Sequence, residues 1–486
     1  MIPETGEGRV RVFHSAALTR LALCARHSGE GVRLGVANAI ADDGHGHAGG
    51  GERWSSPTAF PFRYSNMLQA LPAVASLLIG VAFLMMGSGL LGLVLPIRLS
   101  EEAVPTSITG IVMSSYYAGL MLGALYGKKF IARVGHIRAF AAFAAIVSSG
   151  ALAHALWFDP WFWMSLRMLT GFCMATLFAV VESWLNEKSS NEARGQVLSL
   201  YMITTYMALG SGQLLVNLWE VDGFEPYCLI AILISLSLVP VTLTSVAGPE
   251  LTTAKPLTFA ALYNISPVGV LGAFSSGLIQ GGFYGMAAVF SRAIGMSVFE
   301  VSLFIGSAVF GGLLLQWPVG RLSDKFDRRT VLFWILIAAT LIAIGEIVLT
   351  RMSGQQPPLL LLTALYGGAA TSVYPISVSH AYDYVARDRL VSASSGLLLS
   401  YAVGATAGPL VASALMQAIA PGALFGFIGT VTAGFSVFVL YRQRRRAALP
   451  SEEQATFVPL PTTTPVAAKL DPRAVNGAVA SRTEAA

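Results

Sequence analysis

The stretch GRLSDKFDRR, residues 320–329, lies between two long apolar runs of the sequence. Six of its ten residues are charged, whereas only 12% of the 486 residues in the chain are charged and 54% are hydrophobic. Soluble domains contain about 25% charged residues, roughly twice the share found here. The composition therefore predicts a membrane protein, in which residues 320–329 form a charged loop between two membrane spans.

Long apolar segments recur on both sides of this loop. A helix of about 20 residues, at ~1.5 Å per residue, crosses a hydrocarbon core of about 30 Å. The strands of a membrane barrel would be about half as long and would alternate in polarity, which excludes a barrel. We therefore predict an all-α membrane protein with twelve transmembrane helices in two six-helix halves. The predicted spans are residues 70–97, 106–127, 138–157, 161–186, 195–219, 226–247, 265–290, 298–320, 330–350, 358–381, 390–416 and 420–441.

The apolar segments divide the chain into five parts. Residues 1–66 contain seven arginines, no lysine and no long apolar run, so we expect a disordered N-terminal extension. An over-long start, with the working protein beginning at Met67, would account for such an extension, and a transit peptide is the alternative. The other parts are two six-helix bundles, residues 67–247 and 265–441, a cytoplasmic linker, residues 248–264, and a disordered cytoplasmic tail, residues 442–486.

Positive charge is concentrated in alternate loops. If the first span begins in the cytoplasm, seventeen lysines and arginines lie in cytoplasmic loops or open the tail, and three lie on the opposite side. Short cytoplasmic loops of membrane proteins are enriched in Lys and Arg, so both termini are predicted to be cytoplasmic. The basic pI of about 9.1 then needs no nucleic-acid partner. The cytoplasmic set is Lys128, Lys129, Arg133, Arg138, Lys188, Arg194, Lys255, Arg321, Lys325, Arg328, Arg329, Arg387, Arg389, Arg442, Arg444, Arg445 and Arg446, and the opposite set is Arg98, Arg292 and Arg351.

The two predicted halves share short patterns. Gly119 and Gly127 lie eight residues apart at the end of span 2, and Gly312 and Gly320 have the same spacing at the end of span 8. LSLY in span 5 is similar to LLSY in span 11. Six spans repeated once are typical of transporters whose halves rock around a site near the middle of the membrane.

The loop at 320–329 resembles a signature of the major facilitator superfamily, roughly G-x-x-x-D-[RK]-x-G-[RK]-[RK]. Asp327 stands where the second glycine is usual, and in the corresponding loop after span 2, GKKFIARVGHIR (127–138), Ala132 stands where an acid is usual. The matching positions are Gly320, Asp324, Lys325, Arg328 and Arg329.

Further motifs resemble the same family. Arg167-Met-Leu-Thr-Gly171 resembles the R-x-x-x-G signature of span 4, and Glu187 with Arg194-Gly195 resembles a motif that runs from span 4 to span 5. The G-x-x-x-G-P pattern of many drug antiporters is absent from span 5, although span 11 has a similar string from Gly404 to Pro409. VESWLNE (181–187) and VGHIRAF (134–140) resemble a bacterial branch, the YcaD-like permeases.

The resemblance implies a secondary active transporter that moves a small molecule by alternating access. The sequence has no Walker A pattern, so we expect protons as the coupling partner and no cofactor. Proton-driven efflux by antiport is favoured, and uptake of a small metabolite by a permease is the alternative. We expect a monomer in the lipid bilayer of a bacterial inner membrane, without a metal site. The spans contain no H-E-x-x-H or G-x-S-x-G motif, which argues against a membrane-embedded enzyme.

Three ionisable residues are candidates for proton or substrate coupling. Arg167 lies about seven residues into span 4, where a cation must face protein, water or a counter-ion. The resemblance favours a coupling role, and a structural ion pair or snorkelling is the alternative. Glu182 lies fifteen residues further along the same span, and it either exchanges a proton or joins Glu187 in a charge network. His380 is a candidate gate or proton site close to Asp383.

Polar residues near the middle of the spans form the predicted substrate cavity. Gln280 and Tyr284 are four residues apart in a glycine-rich part of span 7, and Gln213 and Asn217 have the same spacing in span 5. Residues four apart share one face of a helix, and Tyr116 lies in the middle of span 2. Hydrogen bonds between helices are the alternative use for each of these side chains.

Charged residues of the cytoplasmic loops form a predicted gate network that would stabilise the outward-open state. Gly320 is expected to allow close approach of spans 8 and 9. Asp324 is expected to accept from Arg328 or to lie at a neighbouring helix N-terminus. The network comprises Gly320, Arg321, Asp324, Arg328, Glu187, Arg194, Asp383 and Arg389.

Overall fold

The computed structural model describes residues 64–189, 193–243, 257–352, 356–386, 389–447, 449, 454 and 456–471. The expected N-terminal extension up to residue 63, the expected linker up to residue 256 and the tail beyond residue 471 lie outside these residues. The described part contains thirteen α-helices. They are α1 Tyr64–Glu101, α2 Thr106–Val134, α3 His136–Leu156, α4 Pro160–Lys188, α5 Arg194–Leu214, α6 Glu225–Thr242, α7 Phe259–Ile265, α8 Pro267–Ala293, α9 Val298–Lys325, α10 Arg328–Leu349, α11 Gln356–Tyr382, α12 Leu390–Ala418 and α13 Ala423–Arg445.

The long helices α1–α6 and α8–α13 coincide with the predicted spans. Ten of them are long and apolar enough to cross a membrane, and the short α7 forms a bent pair of 117° with α8 that makes an eleventh candidate. The remaining helix, α5, has 21 residues and packs against α1 and α9. Its polar residues lower its hydropathy because several of them face the interior of the bundle. The predicted all-α membrane fold is confirmed.

Each half of the chain uses the same helix pairs. In the first half α1 packs on α5, α2 on α4 and α3 on α6. In the second half α8 packs on α12, α9 on α11 and α10 on α13, which are the corresponding helices six spans later. The packing supports the internal repeat that the glycine spacing indicates.

Glycines let the backbones of paired helices touch. A side chain on Gly119 would collide with the backbone of α4, and one on Gly171 would collide with the backbone of α2. Gly311 and Gly367 occupy equivalent positions between α9 and α11. Small residues at helix contacts are typical of membrane proteins, because close van der Waals packing drives helix association in lipid.

The two halves meet closely at one end of the bundle, which we call the acidic end for its residues Glu101, Glu102, Asp159, Glu220, Asp222 and Glu225. There the backbone N–H of Ser107 on α2 donates to the side chain of Gln417 on α12 at 2.8 Å. Arg292 on α8 and Glu101 on α1 form an ion pair of 3.4 Å between the halves. The other end, which carries Lys128, Lys129, Arg133, Arg321, Lys325, Arg328 and Arg442–Arg446, is called the basic end.

Part of the tail is ordered at the basic end, which differs from the expectation of a disordered tail. Residues 456–471, called the tail segment, contact both α4 and α12 through a short 3₁₀-helix, Pro465–Leu470. Val458, Leu460, Val466 and Leu470 are buried. Prolines and threonines interrupt this apolar sequence between Val458 and Val466, so the sequence has no amphipathic pattern there that would predict burial. The surface that buries these residues exists only in the folded bundle.

Replacing Gly171 by Ala is expected to destabilise the first half. The new methyl group meets the backbone of α2, which cannot move without disturbing the helix pair. Overpacking of this kind costs about 1–3 kcal/mol. The melting temperature of the purified protein in detergent should therefore fall. Gly434→Ala is the matched control, because Gly434 on α13 is exposed and has no atom within 4 Å of the position of a Cβ. An equal effect of the two substitutions would contradict the role of close backbone contact.

Candidate functional site

A cavity of about 250 Å³ lies between the two halves. The first half contributes residues of α1, α2, α4 and α5, and the second half contributes residues of α8, α9, α11 and α12. The cavity is bounded on one side by residues 460–463 of the tail segment. Its polar and aromatic lining includes Ser88, Tyr116, Tyr117, Arg167, Thr205, Tyr206, Gln213, Gln280, Tyr284, Gln316, Thr371, Tyr374 and Tyr401.

Four of the five predicted substrate residues line this cavity, namely Tyr116, Gln213, Gln280 and Tyr284. The side chain of Gln280 donates to Ser276 Oγ at 2.8 Å, so it is partly engaged within its own helix. Gln213 is buried, and its side-chain oxygen has no hydrogen-bond partner among the described residues. Gln213 is therefore available to a molecule in the cavity.

Asn217 does not reach the cavity. Its amide donates to Ser302 Oγ on α9 at 3.0 Å and to the Leu214 carbonyl at 2.9 Å, which is the interhelical bond that the sequence left as an alternative. The reason is local, because α5 ends at Leu214 and the chain continues as a 3₁₀ turn, Leu215–Leu218. A 3₁₀ turn has about 3.0 residues per turn, so a spacing of four residues no longer keeps two side chains on one face.

Arg167 lies in the cavity wall, and no described residue forms an ion pair with it. Its side chain is 5% exposed, and its Nε atom has no hydrogen-bond partner among the described residues. The centre of its guanidinium lies 4.4 Å from the ring centroid of Tyr116, which is a cation–π contact. None of the ion pairs in the described part of the chain includes Arg167. The structure therefore offers no support for a structural ion pair at this residue.

Glu182 is completely buried between α4, α5 and the tail segment. Its carboxylate accepts from the Tyr201 hydroxyl at 3.1 Å. The hydroxyls of Thr463 and Thr464 in the tail segment also donate to it. Thr463 itself lines the cavity, so one residue of the tail separates the carboxylate from the cavity. Glu187 is exposed near the end of the same helix, and no ion pair joins the two carboxylates to a common cation among the described residues.

His380 lies at the basic end, away from the other two coupling candidates, Arg167 and Glu182. It faces a small cavity of about 10 Å³ whose lining includes the cations Arg329, Arg442 and Arg446. Its ring is 5.1 Å from the ring of Tyr384. Asp383, which the sequence placed close to His380, turns to Arg328 instead because it follows the end of α11. The structure thus separates His380 from the other two coupling candidates.

Arg328 and Asp383 form a buried ion pair. Arg328 Nε donates to Asp383 Oδ2 at 2.7 Å, and the two side chains are only 1% and 2% exposed. Arg328 begins α10 and Asp383 follows α11, so the pair joins two helices of the same half. The pair cannot latch one half to the other, and it fixes the geometry within the second half.

Asp324 and Gly320 contact the tail segment. The backbone N–H of Phe457 donates to Asp324 Oδ1 at 2.6 Å, and the ring of Phe457 lies against Gly320. These contacts differ from the expected bond between Asp324 and Arg328, and from the expected close approach of spans 8 and 9 at Gly320. Arg321 stacks on the ring of Trp317 at 3.7 Å within α9. Residues far along the chain supply these partners, so the loop motif alone could not reveal them.

The other members of the predicted gate network lie at the basic end as well. Burial and, to a smaller extent, the positive charge of Arg194 lower the pKa of Lys469 in the tail segment, and Glu187 opposes this effect. Glu187 and Arg194 are therefore close enough to Lys469 to act on its charge. Arg389 precedes the first residue of α12, and its backbone N–H donates to the Ala386 carbonyl at 2.9 Å. The structure brings charged residues of both halves and of the tail segment to one end.

Several cavity residues were missed by the sequence analysis. Tyr117, Tyr206, Tyr374 and Tyr401 all line the cavity, as does Gln316. A tyrosine in the middle of an apolar span is the sequence signal that all of these tyrosines share with Tyr116 and Tyr284. The threonines 462–464 carried no signal, because they lie in the tail.

Twelve long helices in two similar halves, with a cavity between them that the acidic end closes, define a membrane transporter. The chain belongs to the Major Facilitator Superfamily, whose family model matches residues 77–265 and 269–479. It is therefore a secondary transporter and not an enzyme, and it is an integral membrane protein.

Relatives and solved structures agree with this family. An uncharacterized MFS-type transporter YcaD of Salmonella heidelberg is 31% identical over 363 residues, covering 74% of this chain and 93% of the relative. A YcaD of Escherichia fergusonii is 29% identical over 379 residues, covering 78% and 97%. The crystal structure of the nucleoside transporter NupG matches with a TM-score of 0.64 at 12% identity, covering 76% of this chain and 98% of that chain. An inward-facing, unoccupied bacterial homolog of the human lysosomal transporter Spinster matches with a TM-score of 0.58 at 14% identity, covering 76% and 95%.

Replacing Asp383 by Asn is expected to destabilise the protein strongly. The substitution leaves the buried Arg328 guanidinium without its carboxylate, and breaking a buried ion pair costs about 3–5 kcal/mol. Thermal unfolding in detergent measures the effect. Asp222→Asn is the matched control, because Asp222 is mostly exposed and lies 4.0 Å from Arg98. A melting temperature of Asp383→Asn as high as that of the control would contradict the structural role of the pair.

Proposed function

We propose that this transporter exports amphipathic small molecules from the cytoplasm of a bacterium in exchange for protons. The observation that carries the proposal is the composition of the central cavity wall. Six tyrosines and three methionines line it, and Arg167 is the charged side chain among the described lining residues. Aromatic and Met side chains adapt to ligands of different shape, which suits an exporter of varied amphipathic compounds.

Alternating access accounts for the two different ends of the bundle. The halves touch at the acidic end, and the cavity extends toward the basic end, where the tail segment lies. The positive-inside rule favours the basic end as the cytoplasmic one, with both termini in the cytoplasm. The conformation then faces the cytoplasm, and rocking of the two halves would open the acidic end to the outside. The repeated helix pairs supply the two rigid bodies for this motion, within a monomer.

Arg167 and Glu182 are the residues proposed to couple transport to protons. Ionisable residues inside a membrane protein are costly, and they commonly mark ion or substrate pathways. Glu182 can take up a proton from the basic end when Thr463 and Thr464 leave it. Arg167, at the cavity wall about 22 Å away along α4, can sense the charge of the substrate. Proton binding at Glu182 and substrate binding at Arg167 would then both act on α4.

Uptake of a small metabolite is the second candidate. Gln213, Gln280 and Gln316 converge on the cavity, and several convergent amides favour recognition of a specific polar compound. The direction of transport distinguishes the two candidates, because an exporter lowers the amount of a compound inside cells and a permease raises it.

Replacing Glu182 by Gln is expected to abolish proton-driven transport. The probe is anilinonaphthalene sulfonate, an anionic amphipathic dye, in everted membrane vesicles. A pH gradient, acidic inside, should drive dye into vesicles that hold the protein. Transport should fall at least about tenfold in Glu182→Gln, a barrier increase of ~1.4 kcal/mol. Exchange of dye without a gradient should persist, because an amide keeps the shape of the site.

Arg167→Gln is expected to reduce driven transport as well, whereas Glu220→Gln at the exposed acidic end serves as the control. Transport driven by the pH gradient at the wild-type rate in both Glu182→Gln and Arg167→Gln would contradict the coupling proposal. Dye accumulation against the gradient in intact cells would favour the uptake candidate over export.

A further inference from the structure

We infer that the cavity selects an organic anion, a carboxylate or sulfonate with an aromatic or aliphatic body. This inference rests on the proposed transport function and adds the charge of the substrate to it. The basis is the positive charge of the cavity wall. Among the described residues that line the cavity, Arg167 is the only charged side chain, and no carboxylate lies beside it.

The described part of the protein gives the guanidinium of Arg167 neither a counter-ion nor a full set of hydrogen-bond acceptors. It is nine-tenths buried, its Nε atom has no hydrogen-bond partner among the described residues, and the phenols Tyr116 and Tyr117 are close enough to act on its charge. A buried cation is costly unless it is paired, and neutral phenols do not neutralise it. A carboxylate or sulfonate can accept two parallel hydrogen bonds from a guanidinium and supply the missing charge.

The rest of the wall argues against a small inorganic anion. A cavity of about 250 Å³ is far larger than a site for one or two waters, each of which occupies about 30 Å³ in the liquid. Met85, Tyr206 and Tyr284 form apolar walls that a phosphate or chloride ion would leave without contact. An organic body fills this space, and Gln213 offers an acceptor oxygen to a hydroxyl or amide on it. A cationic compound of the same shape would meet the repulsion of Arg167.

Three probes of one shape and different charge test this inference. Naphthoate, naphthamide and naphthamidine share a naphthyl body and carry a negative, no and a positive charge at neutral pH. Their affinities for the purified full-length protein are measured by calorimetry. Naphthoate should bind at least tenfold more tightly than naphthamide, and naphthamidine should bind most weakly. Arg167→Gln should remove the preference for naphthoate, and Arg167→Lys should keep part of it.

Arg98→Gln is the control, because Arg98 pairs with Glu102 at the acidic end and does not line the cavity. Absence of a preference for naphthoate in the wild-type protein, whether the three probes bind equally or none binds, overturns the inference. A preference that persists in Arg167→Gln overturns the role of this residue. Selective binding of naphthoate without any gradient-driven transport would contradict the proposed function and leave the anion site intact.

A second inference comes from a different observation, the contacts of the tail segment, and it does not depend on the charge of the substrate. We propose that residues 456–471 form a plug that closes the cavity at the basic end. Leu460 and Thr463 are part of the cavity wall. The segment is held by Glu182 of the first half and by Asp324 of the second half. It therefore lies between the halves, on the side from which a substrate would enter.

The plug is anchored along its length. One backbone bond to Asp324 and two threonine hydroxyls on Glu182 hold it to the two halves, and the apolar side chains Val458, Leu460, Val466 and Leu470 are buried. The segment follows α13 in the chain and is part of none of the long helices, so its release breaks these contacts and leaves the helical hydrogen bonds intact. The plug can thus leave the cavity without unfolding the helices.

Access to a cavity cysteine tests the plug. Met202 on α5 lines the cavity, and Met202→Cys is introduced into the full chain with Cys24, Cys173 and Cys228 replaced by Ala. A charged methanethiosulfonate reagent then measures access. Leu460→Asp places a carboxylate among buried apolar side chains and should release the tail segment, so labelling should become at least tenfold faster. Thr456→Asp adds the same charge at an exposed position and should leave the labelling rate unchanged.

Hydrogen exchange of residues 456–471 reports release of the tail segment independently. Fast exchange in Leu460→Asp together with an unchanged labelling rate overturns the plug. Retained protection of the segment in Leu460→Asp also overturns it, because apolar anchoring cannot tolerate a carboxylate at that position. An unchanged melting temperature of the bundle shows that faster labelling does not come from unfolding of the helices.

Discussion

Close contact between helix backbones is the constraint on which the rest of this structure depends. Lipid is as apolar as a leucine side chain, so two helices in a membrane gain no hydrophobic free energy by meeting. Glycines replace that driving force by bringing backbones within van der Waals distance, as Gly119 and Gly171 do for α2 and α4. The same solution recurs at Gly311 and Gly367 between α9 and α11. Two tightly packed halves result, and the looser space between them is the cavity.

The helices were predictable because one physical rule governs them. Backbone groups in hydrocarbon must be satisfied within the segment, so length and hydropathy reveal nearly every span. The span predicted at 161–186 is α4, Pro160–Lys188, and only α5 falls below the usual hydropathy because it lines the cavity. Polar residues in the middle of spans likewise pointed to the cavity. The spacing rule failed at Asn217, where the helix changes to a 3₁₀ turn.

Tertiary partners were not predictable from local patterns. The partner of Arg328 is Asp383, 55 residues away, and the partner of Asp324 is the backbone of Phe457, 133 residues away. A charged loop motif shows that its charged residues need partners, but it does not identify the residues that serve as partners. The tail segment is the clearest case. Its buried residues are interrupted by prolines and threonines, so composition alone indicated disorder.

The buried charges of this protein are accommodated in three different ways. Arg328 has a carboxylate, so its pair is a structural element of one half. Glu182 has hydroxyl donors, which satisfy its oxygens without cancelling its charge. Arg167 contacts the ring of Tyr116, and among the described residues its Nε atom has no hydrogen-bond partner and its charge has no ion pair. The less a charge is compensated by the protein, the more a ligand can gain from it, which is why the proposed anion site is placed at Arg167.

The tail segment connects these charges to the motion of the halves. It contacts Glu182 on one side and Asp324 on the other, so it occupies space that must vanish when the basic end closes. A bound segment therefore keeps the two halves apart at the basic end, and in the proposed transport cycle it would have to leave before that end could close. Its departure also uncovers the Glu182 carboxylate. A ligand changes such an equilibrium only through its different affinity for the two states. In the proposed mechanism, a substrate that displaces the plug would also free the Glu182 carboxylate for a proton and allow the halves to rock.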